Sequence, residues 1–153
     1  GSRPCTVACL TNHSSRRACG TRLNSGVRRL VKHSLLSLLE TPGTLREPAL
    51  EEERAARGWS VERMCNELAV LIAKSYMAGE LTFEVADSAM NWLWPYSFKA
   101  GTTYLPEPCN EIYLAFDAGE WKSASDPAEL DPEAAYTRPM LEKLLAQDHG
   151  SSA

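Results

Sequence analysis

Histidine is scarce in this chain, and its placement removes the commonest routes to catalysis. There are three, His13, His33 and His149, and none lies between residues 59 and 147. A Ser–His–Asp or Cys–His arrangement cannot be assembled within that stretch. The nine glycines are scattered, with no cluster that could cradle a phosphate. No apolar run approaches the ~20 residues that span a bilayer. The start is polar and arginine-containing, without the apolar segment of a secretory signal. Gly1-Ser2 reads as a cloning scar. The five cysteines, Cys5, Cys9, Cys19, Cys65 and Cys109, are odd in number, which argues against a disulfide framework. Reduced thiols and a cytoplasmic location are the expectation.

What is present is a sharp division of charge. Residues 1–50 hold eight Lys/Arg and two Asp/Glu, a net of +6. Residues 51–153 hold eight Lys/Arg and eighteen Asp/Glu, a net of −10. The two parts are expected to do different jobs. The sequence divides into a basic extension over 1–58 with one helix and a linker, an acidic helical domain over 59–147, and a frayed tail over 148–153.

In the extension, Val27, Leu30, Val31, Ser34, Leu35 and Leu38 recur at helical spacing, which predicts a helix over 25–40 stopped by Thr41-Pro42-Gly43. Residues 42–58, with Pro42, Gly43, Pro48 and Gly58 around an acidic run, read as linker. Beyond it, Ser60 is a good N-cap for a helix whose apolar stripe is Val61, Met64, Cys65, Leu68, Leu71, Ile72 and Tyr76. Gly79 occupies a C-terminal left-handed position. Thr82 caps a second helix with Phe83, Ala86, Met90 and Leu93, which Pro95 should end. The short link favours an antiparallel pair. Residues 112–116 fit a helix capped by Asn110 and closed by Gly119, or a strand paired with 102–105. The helix is preferred, because a strand needs a good neighbour and Leu and Ala are poor strand formers. Asp126-Pro127 and Asp131-Pro132 resemble N-cap–Pro steps, and the last helix starts near Thr137-Arg138-Pro139. The expected fold is all-α, a small helical bundle, with an α+β fold carrying a hairpin over 102–116 as the alternative.

Four groups of residues could carry function. Cys5, Cys9, His13 and Cys19, spaced C-x3-C-x3-H-x5-C, have the chemistry of a zinc site, but each spacing departs from that of a nucleic-acid-binding zinc knuckle and no aromatic is present to stack on a base. No cofactor is expected. The basic segment could touch nucleic acid, as an accessory reading. Trp92, Trp94, Tyr96 and Tyr104 could line a small-ligand pocket, although core packing is the expectation for most of the first three. Leu93 and Trp94 continue the core stripe in this reading, and Trp92 faces the other way. Asp117, Glu120, Asp126, Glu129, Asp131 and Glu133 form a dense carboxylate run with Lys122 the single opposing charge. With Trp121 inside it, that run fits a protein interface.

From Met64 onward the chain resembles small uncharacterised bacterial proteins of mobile gene cassettes and toxin neighbourhoods, some of them similar to immunity proteins. The resemblance rests on Glu67-Leu68-Ala69 through Ala78-Gly79-Glu80, Ala86-Asp87 to Asn91, Ile112 to Trp121, Asp131-Pro132 and Tyr136-Thr137-Arg138-Pro139. It implies a non-enzymatic binding protein and brings no site residues with it. It also implies that Met64 is an ancestral start, with the basic part an upstream extension. The expected binding residues are Asp117, Glu120, Trp121, Asp126 and Glu129, facing a basic protein. A homo-oligomer through the basic helix is a further possibility, and no membrane is expected.

Overall fold

The computed structural model describes residues 35–41, 44–101 and 103–148. They form an all-α bundle with one minimal strand pair at its edge. Strands β1 (Leu39–Thr41) and β2 (Thr44–Leu45) are antiparallel, with Leu39 opposite Leu45. Helices α1 (Glu47–Arg57), α2 (Val61–Met77), α3 (Phe83–Ser97), α4 (Cys109–Glu120) and α5 (Arg138–Asp148) follow. A 3-10 turn at Phe98–Ala100 extends α3, and a π turn at Glu133–Thr137 leads into α5.

Helix α2 is the hub. It buries Met64, Cys65, Leu68, Ala69, Ile72, Ala73, Ser75 and Tyr76, the stripe that its sequence period demands. It packs on α3, α4 and α5. Ser60 Oγ accepts from the Arg63 N–H at 3.2 Å, and Thr82 Oγ1 from the Val85 N–H at 3.4 Å, so both expected N-caps form. Gly79 has φ 72° and turns the chain from α2 back along α3. Helix α3 packs on α4 and β2.

Four local expectations are corrected. The stretch expected to be a linker contains α1. Pro48 lies in its first turn, where a missing N–H is harmless, and Gly58, at φ 62°, is its left-handed C-cap. The acidic run becomes an ion-paired helix face, Glu51 with Arg54 and Glu53 with Arg57. Leu50 is fully buried, and Tyr96 Oη donates to Glu51 Oε1 at 2.6 Å. Secondly, of the helix expected over 25–40, residues 35 and 36 are helical, but 37 and 38 form a turn and 39 and 40 are extended; residues 25–34 lie outside the described residues.

Thirdly, Pro95 does not end α3. It lies two residues from the end of the helix, exposed, where only the bond to the Asn91 carbonyl is lost, and Ser97 Oγ donates to the Trp94 carbonyl at 2.8 Å. Fourthly, α4 begins at Cys109, one residue before its expected cap. Asn66 of α2 receives the Cys109 N–H at 3.1 Å and donates to the Glu107 carbonyl at 2.7 Å. Asn66 from another helix and Glu107, whose Oε2 accepts the Glu111 N–H at 3.3 Å, thus do the capping that the local sequence assigned to Asn110. Helix α4 also runs through Gly119 to Glu120. There is no hairpin at 102–116, because its second half is this helix.

Candidate functional site: an acidic and aromatic seam between two helices

Helices α3 and α4 each carry one stripe of polar and aromatic residues at helical spacing. On α3 the stripe is Asp87, Asn91, Trp94 and Phe98 just past its end; on α4 it is Tyr113, Asp117 and Glu120. The helices are antiparallel, so the stripes meet. At one end the rings of Trp94 and Tyr113 lie 5.5 Å apart, and Trp94 meets Phe98 edge-on at 5.9 Å. At the other end Asp87 hydrogen-bonds with Glu120 and feels the charge of Asp117. Tyr113 joins the two ends, with its phenol within the field of Asp117, Glu120 and Asp87.

The carboxylate end is electrostatically unfavourable to the fold. Burial and then the Glu120 carboxylate push Asp87 up from 3.8 to about 6. Asp117 and Glu120 also lie at the C-terminus of α4, where the helix dipole favours cations, and the last turn holds none. Among the described residues no Lys or Arg is paired with Asp87, Asp117 or Glu120. Lys122, the one cation in the local sequence, donates instead to the Ala128 carbonyl at 2.7 Å.

The other expected acidic residues divide by role. Asp126 is half-buried. Its Oδ2 accepts the Ser123 N–H at 2.6 Å, and it hydrogen-bonds to the Tyr136 phenol, so it shapes the loop after α4. Asp131 accepts the Glu133 N–H at 3.1 Å. Glu133 receives the Tyr76 hydroxyl at 2.5 Å and Arg138 at 2.8 Å, and these partners hold its carboxyl below the usual range. Glu129 and Trp121 are exposed, Trp121 at 69%. Asp117, Glu120 and Trp121 therefore stand together at the end of α4, whereas Asp126 has a structural task.

The four aromatics expected as a pocket do not converge. Trp92 is half-buried and stacks on buried Tyr96 at 5.3 Å, on the side of α3 that faces α1. Trp94 leaves the core stripe and is 38% exposed, because Leu93 beside it takes the inward position. Tyr104 is 65% exposed. Open clefts of about 200, 320 and 270 Å³ lie along α2, α4 and α5, and none of these four residues lines them.

Nothing in the local sequence marks Asp87 as a site residue. The signal for it was the matching spacing of Asp87/Asn91/Trp94 and Tyr113/Asp117/Glu120 on two neighbouring helices, which becomes legible only when the pair is set antiparallel. The thiols within the described residues are buried and free: Cys65 is pushed up to about 12 by burial, and Cys109 is pushed up by the same cause. Both pack as small apolar groups. Among the described residues no group of His, Cys, Asp and Glu could hold a metal ion; Cys5, Cys9, His13 and Cys19 lie outside them. Among the described residues no helix is long and apolar enough to cross a membrane. Comparison of the chain with family models, curated proteins and solved structures gives no match.

Proposed function

We propose that this is a non-enzymatic protein-binding module, immunity-protein-like in manner, whose acidic face engages a basic protein. The observation that carries the reading is the trio Asp87, Asp117 and Glu120. Asp87 and Glu120, from two helices, share a hydrogen bond, Asp117 adds its charge, Asp87 is pushed up to about 6, and no cation among the described residues is paired to any of the three. A structure that keeps such repulsion in the free state gains most when a cation arrives. Exposed Trp121 follows Glu120 in the chain and exposed Trp94 stands at the other end of the seam, and tryptophan is among the residue types enriched at interface hot spots. The complementary field would speed association and select partners by charge.

The test is charge reversal in the full-length chain. Asp117→Lys with Glu120→Lys is compared with Glu52→Lys and Glu142→Lys, an equal change at exposed sites on α1 and α5. Binding is read by calorimetry against a nona-arginine peptide. The reading predicts a Kd at least tenfold weaker for the first pair, with the second pair near the parent. Equal losses from both pairs, or no loss from either, would reject a localised acidic face.

A further inference from the structure

Resting on the acidic-face reading, we infer that the α3–α4 seam docks this chain's own arginine-rich segment, residues 1–34, which competes in cis with a basic partner. The charge match is the first support. Residues 1–34 hold seven Lys/Arg and no Asp or Glu, with Arg16-Arg17 and Arg28-Arg29 as adjacent pairs. The seam offers Asp87, Asp117 and Glu120 at one end and the Trp94–Phe98–Tyr113 rings at the other. Arginine is the residue that uses both, a bidentate partner for carboxylates and a flat cation for aromatic faces.

The rest of the molecule shows the same pairing where its cations are in reach. Arg57 and Arg63 lie over the Trp59 ring at 4.8 and 4.9 Å, Arg138 over Tyr76 at 4.8 Å, and Lys99 over Tyr96 at 5.5 Å. Among the described residues the Trp94–Phe98–Tyr113 group has no such cation, although Trp94 and Phe98 are 38% and 43% exposed.

The tether reaches. The described chain begins at Leu35, which is buried, and the turn after it enters the strand pair that packs on α3. The segment therefore departs beside the helix that carries half of the seam. Thirty-four residues, even at a helical rise of about 1.5 Å each, exceed the length of α3. A tethered ligand acts at an effective concentration of about millimolar, so weak contacts suffice to occupy the seam.

The experiment uses the full chain with Arg16, Arg17, Arg22, Arg28 and Arg29 changed to Gln. Three quantities are read: the amide resonances of residues 87, 91, 94, 113, 117 and 120, the Kd for nona-arginine, and the molar mass. The inference expects seam resonances to move, the peptide to bind about tenfold tighter, and the mass to stay that of the parent. Raising salt in the unsubstituted chain gives a second reading that needs no variant, and it should move the same resonances. Unmoved resonances in both readings, with an unchanged Kd, would overturn it. A doubled mass with concentration-dependent shifts in the parent would also overturn it, replacing the cis contact by one between copies. The underlying reading fails separately: in the arginine-neutralised chain, Asp117→Asn with Glu120→Gln would then leave peptide binding unchanged.

Discussion

At Asp87 the folded chain holds a proton that the unfolded chain releases. Its carboxyl titrates at about 6 instead of 3.8, so folding binds protons between those values. The sign follows from linkage: this contribution to stability is fully present below about 4 and is lost as pH rises through 6. Above 6 the ionised group opposes the fold. Because the site is partly open to solvent, the opposition amounts to about 1 kcal/mol after screening. Asp87→Asn keeps a partner for Glu120 and removes the charge. It should raise stability at pH 7.5 by about that amount and leave it unchanged at pH 4, as measured by urea unfolding at both values.

Gly119 gives a steric counterpart. A Cβ there would sit 2.1 Å from Thr137 Oγ1 and 2.9 Å from Phe83 Cε2, at the contact of α4 with the π turn and the start of α3. Gly119→Ala should lower stability by about 2 kcal/mol or more, visible as a lower Tm. From the local sequence Gly119 reads as a helix stop. Its role in close packing depends on residues 36 and 18 positions away, which local pattern does not reveal.

At the scale of elements, the instructive case is α1. Its Pro and Gly punctuation around an acidic run reads as linker, but the same residues mark helix boundaries when one side chain finds the core. Leu50 is that side chain. Leu50→Ala should cost about 2–5 kcal/mol, whereas a true linker would lose almost nothing; chemical denaturation distinguishes the two. Helices α2 and α3 were legible because stripe, N-cap and C-terminal glycine agreed. The start of α4 was off by one residue because its cap comes from Asn66 on α2, a tertiary effect. Trp94 was assigned to the core because it adjoins Leu93. Only packing decides which of two neighbouring large side chains turns inward, and the outward one became part of the seam.

At the scale of the molecule, the sequence already showed the opposition of a basic start and an acidic remainder. It did not show that the carboxylates separate into structural ones, Asp126, Asp131 and Glu133, and ones that face solvent, Asp117 and Glu120, joined by Asp87 from another helix. That separation locates the acidic face. It also predicts salt dependence: raising ionic strength from 50 to 500 mM should weaken nona-arginine binding by about tenfold or more, since exposed charges are screened over about 10 Å at 0.1 M. The most direct measurement of the central claim is proton exchange on binding at pH 6, by calorimetry in two buffers of different ionisation enthalpy. Nona-arginine does not titrate there. If it binds at the seam of the chain with Arg16, Arg17, Arg22, Arg28 and Arg29 changed to Gln, Asp87 loses its proton, and about half a proton per site is released there and none when Asp87→Asn is added. Binding without proton release, or release that persists in Asp87→Asn, would contradict the claim and place the partner elsewhere on the acidic surface.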